Sequence, residues 1–277
     1  MSKTRENLDG AQTAQRALRV LKLVAAHNAQ GITARQIVES LSEDRSAIQR
    51  SLSALVAEGL IHRGVDLHRY HLGVEAAHIG RATLQHSPLI EQYQFELQKI
   101  AWQTGDTVFL SVRIGDFVLC IFRDEGSAPV RVARTRVGDV RVLGTSAGGL
   151  ALLATLDDGE VRRIYERHPA AFGQARIDLS VLWRHVAMAR RAGYALLSDN
   201  VSEGVTSIGI CLGRPGQPVA AAAIASAKTR MTPDRMQALH TLLRQLSEHV
   251  DTGPSVTRPP RVSGNAAAPR SPAAPTR

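Results

Sequence analysis

The sequence predicts an α+β protein in two parts: an N-terminal winged helix-turn-helix, then an antiparallel sheet flanked by helices. Three observations predict it. Apolar residues recur at helical spacing in three successive segments before Gly59, a short pair of alternating runs with a basic tip follows at once, and beyond Leu89 β-type runs broken by turn residues are interleaved with amphipathic helices. With 277 residues, 44% of them apolar, the chain can fill two cores of ordinary size.

Residues 1–10 are polar and expected to be disordered. From Thr13 to about His27, Ala17, Val20, Leu21 and Val24 fall at i, i+3, i+4 and i+7, which leaves Arg16, Arg19 and Lys22 toward solvent or phosphate. Asn28 to Gly31 stops that helix. Thr33 is the expected N-cap of a second, with Ala34, Ile37, Val38 and Leu41 inward, and Asp44 caps a third, which buries Ile48, Leu52, Leu55 and Val56 and ends at Gly59. Residues 60–63 and 69–72 then alternate around Gly64 to His68, completing a winged helix-turn-helix over 11–73. A helix over Val74 to Ser87, ended by Pro88, gives a linker at 74–88 able to carry movement between two domains.

The second domain is expected over 89–250. Residues 89–103 form an amphipathic helix; TVFLSVRI and FVLCIF form a hairpin about Gly115-Asp116; PVRVART and DVRVL add strands. GTSAGGLALLATL is a loop of small residues running into an apolar helix, followed by the helices DDGEVRRIYER and LSVLWRHVAMARRAG. TSIGICLG and PVAAAAIAS pair across Arg214 to Gln217, and a last helix follows Thr232-Pro233. Residues 251–277, rich in Pro, Ala and Arg, are expected to be a disordered tail.

Composition narrows the function. No run approaches the roughly 18 apolar residues of a membrane span, and the N-terminus lacks the apolar core of a secretory signal, so a cytoplasmic protein without a membrane partner is expected. Cys120 and Cys211 lie in strand-like segments outside any ligand-spaced cluster, which points to reduced thiols and no metal; no cofactor motif stands out. The net charge is +9, yet residues 1–86 hold 11 Lys/Arg against 8 Asp/Glu, residues 87–250 hold 19 against 16, and the tail 4 against 1. No segment is a polybasic arm, so recognition of a polyanion has to come from placement of charge within a fold.

That placement is found at the start of the third helix. Arg45 and Gln49 are four apart and share a face, as do Ser46 and Arg50, while Ile48, Leu52 and Leu55 point away. In a helix-turn-helix the first residues of this helix, here Arg45, Ser46, Ala47, Gln49 and Arg50, meet base edges in the DNA major groove. Arg suits guanine and Gln suits adenine. The wing residues Arg63, His68 and Arg69 suit phosphate or minor-groove contact. A solvated polar face on a three-helix bundle is the alternative; the basic-tipped hairpin directly after the helix favours a double-stranded DNA operator.

These segments resemble the IclR family of bacterial transcription regulators, through AQRALRVLKLVAAHNAQGITARQIVESLSEDRSAIQRSLSALVAEGLIHR with YHLG, and through TGDTVFLSVRIGD, GTSAGGLALLATL, RRAGYALLSDNVSEGV and AAAAIAS. The resemblance implies a homodimer, often paired into a homotetramer, with a GAF-like C-terminal domain that binds a small-molecule effector. It places the effector against Leu143, Thr145, Ser146 and Ala147 of the loop, Leu197, Ser207 and Cys211, and Ala223 and Ala225. Ala223 and Ala225 stand where carboxylate-binding members carry hydroxyls, and Leu197 where they carry an acid. A wider, more apolar pocket for an aromatic or other organic acid is the expectation; close sheet-to-helix packing is the competing reason for the alanines.

One motif points elsewhere. Gly144 to Gly148 reads G-x-S-x-G between a strand and a helix, the nucleophile elbow of serine hydrolases, with Asp199 and His240 or His249 downstream. Too little chain precedes Ser146 for the parallel strands that elbow needs, and the hairpins imply an antiparallel sheet, so a non-enzyme without catalytic residues is expected. Aromatics make up only 4% of the chain, which argues against stacking on single-stranded RNA.

Overall fold

The computed structural model describes residues 2–85, 87–127, 135–214 and 217–248. The chain divides into two compact units that part after Gln85. In the first, α1 (Ser2–Ala26) starts earlier than its apolar periodicity, because the polar opening residues, expected to be disordered, include fair helix formers and continue it. Then come β1 (Ile32–Thr33), α2 (Ala34–Leu41), α3 (Arg45–Ala57), β2 (Ile61–Arg63), β3 (Arg69–Leu72) and α4 (Val74–Gln85). Val20, Leu23 and Val24 of α1 meet Ile37, Ile48, Leu52 and Leu55 of α2 and α3 in one core closed by Ile61 and Tyr70. Each such side chain contributes about 1.5–3 kcal/mol on burial.

Side-chain caps fix where α2 and α3 begin. Thr33 accepts from the Gln36 amide while the Gln36 side chain accepts from the Thr33 amide, a reciprocal capping box. Asp44 Oδ2 accepts from the amides of Ser46 at 2.9 Å and Ala47 at 3.1 Å. The wing has one strand more than the expected hairpin: β1 joins it, giving the antiparallel order β1-β3-β2.

The second unit holds α5 (Pro88–Thr104), β4 (Thr107–Ile114), β5 (Phe117–Asp124), β6 (Val140–Val142), α6 (Ala147–Ala154), α7 (Asp158–Arg167), α8 (Pro169–Gln174), α9 (Leu179–Ala192), β7 (Ala195–Ser198), β8 (Val205–Arg214), β9 (Gln217–Ala227) and α10 (Pro233–Glu248). Among the described residues six strands pair antiparallel in the order β6-β5-β4-β9-β8-β7. The expected strand PVRVART and tail 251–277 fall, but for Thr135, outside the described residues.

Period-two alternation then sorts the side chains. Val108, Leu110, Ile208, Ile210, Leu212, Ala222 and Ile224 pack with α5 and α10. The residues between them face α6 to α9 or the space beside α6. Gly209 makes the close approach of α6 possible: a Cβ there would lie 2.7 Å from the Ala147 carbonyl carbon and 2.9 Å from the Gly148 nitrogen.

Candidate DNA interface and ligand cavity

At the start of α3 Arg45, Ser46, Gln49 and Arg50 are exposed, above a buried row of Ile48, Ser51, Leu52 and Leu55. Val56, expected in that row, is instead 39% exposed, because it falls one position round the helix from Leu55 and turns out of the core. Ala47 is a correction to the expected contact set: it is buried at 6% exposure, because it sits on the inward side of the first turn. The Ser46 hydroxyl donates to Asp44 Oδ2 and accepts from Arg50 Nη1 at 3.2 Å, so it holds the cap and steers Arg50. Hydrogen bonding from Ser46 and the Ala47 amide keeps the Asp44 carboxyl below its ordinary range. Arg45 and Gln49 make no hydrogen bond to other described residues and project freely.

The other cations divide by what already holds them. Arg16 Nε pairs with Glu43 Oε2 at 2.7 Å and Arg19 with Glu43 Oε1 at 3.4 Å, so both tie α1 to the turn between α2 and α3. Arg69 Nη1 donates to the carbonyls of Gln30 and Gly31, each at 3.3 Å, and its Nε lies 3.6 Å from Asp66. It clamps the wing to the chain entering β1, contrary to a primary role on phosphate. Arg63 leans over the Tyr70 ring at 5.6 Å and stays exposed, and His68 is exposed at the wing tip.

In the second unit a cavity of about 60 Å³ opens beside the N-terminus of α6. Its floor is the sheet: Phe109 and Ser111 of β4, Val118 and Cys120 of β5, Ser207 of β8, Ala223 and Ala225 of β9. Its walls are Ser146, Ala147 and Gly148 on one side, Thr135, Asp139 and Arg141 on a second, and Val201, Ser202 and Val205 on a third. Ser146 caps α6, its Oγ accepting from the Gly149 amide at 3.2 Å. That leaves the first amides of the helix facing the space, where its dipole favours an anion. Burial pushes the Cys120 thiol up to about 11 and the Cys211 thiol up to about 12.

Of the expected pocket residues, Ser146, Ala147, Ser207, Ala223 and Ala225 line this cavity. Four do not. Leu143 and Leu197 are in the core under α6 and α9, Cys211 packs against that core, and Thr145 Oγ1 bonds back to the Val142 carbonyl at 2.8 Å. Cys211 shares the sheet face of Ser207, but along β8 it passes from the cavity to the helix core. Phe109, Ser111, Val118, Cys120, Asp139, Arg141 and Ser202 were not anticipated; alternation along β4 and β5 places the first four on the cavity face, and nothing local marks the rest. The lining is also more polar than expected.

The hydrolase geometry does not form. Ser146 has an extended backbone, φ −139° and ψ 158°, where a nucleophile elbow is strained. Asp199 is engaged by Lys228 at 2.6 Å and the Gly204 amide. His240 packs against Tyr194 with ring centroids 4.5 Å apart and the rings tilted by 43°, and Tyr194 lies among the residues of α5 and α10, on the opposite face of the sheet from Ser146. His249 lies outside the described residues.

A capped helix presenting a polar face beside a wing, in a chain whose second unit holds a cavity against a helix N-terminus, defines the class of ligand-responsive DNA-binding regulators. Residues 13–64 match the IclR helix-turn-helix domain and residues 81–252 match the bacterial transcriptional regulator IclR C-terminal domain. The chain belongs to the IclR family of bacterial transcriptional regulators. It is 26% identical over 255 residues to the HTH-type transcriptional regulator BhcR of Paracoccus denitrificans, covering 90% of this chain and 89% of that one. It is also 26% identical to the HTH-type transcriptional repressor AllR of Klebsiella pneumoniae, covering 88% and 90%. Among solved structures, an IclR family regulator from Brucella abortus superposes with a TM-score of 0.68 at 17% identity, covering 87% of this chain and 92% of that one. An IclR homologue from Microbacterium hydrocarbonoxydans, complexed with 4-hydroxybenzoate, superposes at 0.57 with 21% identity, covering 87% and 98%. Among the described residues no helix is long and apolar enough to cross a membrane, and no His, Cys, Asp and Glu cluster could hold a metal.

Proposed function

We propose that the protein acts in the cytoplasm as a homodimer, or a pair of dimers, that sets α3 of each protomer in successive major grooves of a near-palindromic operator and changes its DNA affinity when an organic acid fills the cavity beside α6. Arg45, Gln49 and Arg50 read or grip the groove, with Arg63 and His68 on the backbone. The observation that carries this is the exposed polar face of α3, held rigid by a buried apolar row and the Asp44 cap. For the cavity, the supporting features are the free α6 amides, the serine hydroxyls and the apolar floor. The 4-hydroxybenzoate complex of the Microbacterium homologue fits an acid as effector. Coupling between two such sites is typically about 1–3 kcal/mol and reciprocal, so DNA alters effector affinity by the same factor that effector alters DNA affinity.

Footprinting of the DNA beside the protein's own gene, followed by anisotropy titration, tests the placement. Arg45→Ala and Arg50→Ala are each expected to weaken operator binding by about 10- to 100-fold. Affinity for the operator should fall steeply with added salt. Wild-type affinity in both variants, independent of salt, would remove α3 from the groove.

A further inference from the structure

The cavity holds two buried polar atoms that have no partner among the described residues. Arg141 Nε and Ser202 Oγ are both buried and make no hydrogen bond among the described residues. Both residues line the same small space. Arg141 comes from β6 at one edge of the sheet, and Ser202 from the turn between β7 and β8 at the other. The contrast with Arg235 is informative: its Nε is equally bare, but its Nη2 pairs with Asp106 at 2.8 Å. Arg141 has no ion pair among the described residues. A buried donor without a partner forfeits its hydration for nothing, so an arginine Nε in that state beside a cavity is set for an occupant.

Resting on the reading of this cavity as the effector site, we propose that its ligand is a monoanionic organic acid with a second oxygen: Arg141 pairs with the carboxylate and Ser202 Oγ bonds a hydroxyl or keto oxygen. Among the described lining residues Arg141 is the one cation, and a planar guanidinium matches a carboxylate in two parallel hydrogen bonds. Asp139 sets the limit to one charge. Its Oδ2 accepts from the Arg136 amide at 2.8 Å, and the carboxylate faces the same space, repelling a second anionic group. The apolar floor of Phe109, Val118 and Ala223 takes the body of the acid.

Calorimetric titration of the full-length protein tests this with 4-hydroxybenzoate and lactate, their amides, the deoxy acids benzoate and propionate, and terephthalate. At least one hydroxy acid should bind, its amide at least tenfold more weakly, and terephthalate more weakly than 4-hydroxybenzoate. Arg141→Met should cost the acid about 10- to 100-fold while leaving the amide unchanged, with Arg141→Lys in between. Ser202→Ala should erase the preference for a hydroxy acid over its deoxy counterpart. If no acid in the panel binds, or if Arg141→Met, folded by circular dichroism, binds the acid like wild type, the proposal is overturned. Ala223→Leu separates the two levels of the reading. It fills the floor, and binding that survives it undamaged overturns the cavity as the effector site, whereas loss in Ala223→Leu with retention in Arg141→Met overturns only the anchor.

Discussion

Arg45 and Arg69 carry the same charge and differ in what already holds them. Arg69 donates to the Gln30 and Gly31 carbonyls, whereas Arg45 makes no hydrogen bond to any described residue. Arg69→Ala is therefore expected to lower the melting temperature of the first unit, and Arg45→Ala to lower operator affinity with no change in melting. Circular dichroism melts and anisotropy on the same two samples check this, and the reverse pattern would exchange their roles. The thiols offer a second test. Burial raises both, to about 11 for Cys120 and about 12 for Cys211, so each is almost wholly protonated at pH 8 and should react with a disulfide reagent far more slowly than a free cysteine. Only Cys120 lines the cavity, so an acid ligand should slow Cys120 further and leave Cys211 unchanged, as mass spectrometry of labelled peptides would show. His185 of α9 is held below its ordinary value of 6.5 by burial and by the charge of Arg184, and its Nδ1 is buried without a partner among the described residues. The unfolded chain then binds that proton more readily than the folded one. Stability should drop as pH falls through about 6.5, and His185→Gln, which cannot be charged, should flatten the melting temperature between pH 7 and pH 5.5.

At the scale of elements, what could be read from the sequence tracks how local the cause is. The caps Thr33 and Asp44 and the glycine stop at Gly59 depend on neighbouring residues, and each lies where the sequence places it. Three short elements were not legible. β1 has two residues, too few to alternate; β7 has four and exists because β8 offers it a ladder; α8 has six and starts at Pro169 directly after α7. Gly209 belongs with them, since its need for no side chain comes from α6, some sixty residues earlier in the chain. Gly209→Ala would drive a Cβ into the Ala147 carbonyl. It should destabilise the second unit by about 1–3 kcal/mol and disturb the cavity wall, so chemical denaturation and ligand titration should fail together. Loss of stability with normal ligand affinity would uncouple the α6 seat from the cavity.

At the scale of the whole molecule, the candidate ligand site is a product of non-local pairing. Phe109 lies opposite Ala223 because β4 pairs with β9, Ser207 lies opposite Ala225 because β8 pairs with β9, and Val118 lies opposite Arg141 because β5 pairs with β6. No window of sequence holds these partners together: only the family resemblance assigns the small-residue strands to a pocket, and nothing local marks Arg141 or Ser202. The candidate DNA face is the opposite case: its four exposed polar residues, Arg45, Ser46, Gln49 and Arg50, lie within two turns of one helix, so their common face can be read from local spacing. The same division predicts how the protein melts. Each unit has its own core, so each can unfold as its own cooperative block. A ligand that binds only the folded second unit stabilises it by RT ln(1 + [L]/Kd), about 2.7 kcal/mol at a hundredfold excess over Kd. Calorimetry should then show the second unit's transition moving up with the acid and the first unit's moving up with operator DNA. Because coupling between the sites is reciprocal, each ligand should also shift the other unit's transition by a smaller amount of common sign. Two transitions that respond to their own ligands alone would mean that the cavity and the DNA face share a chain but no free energy.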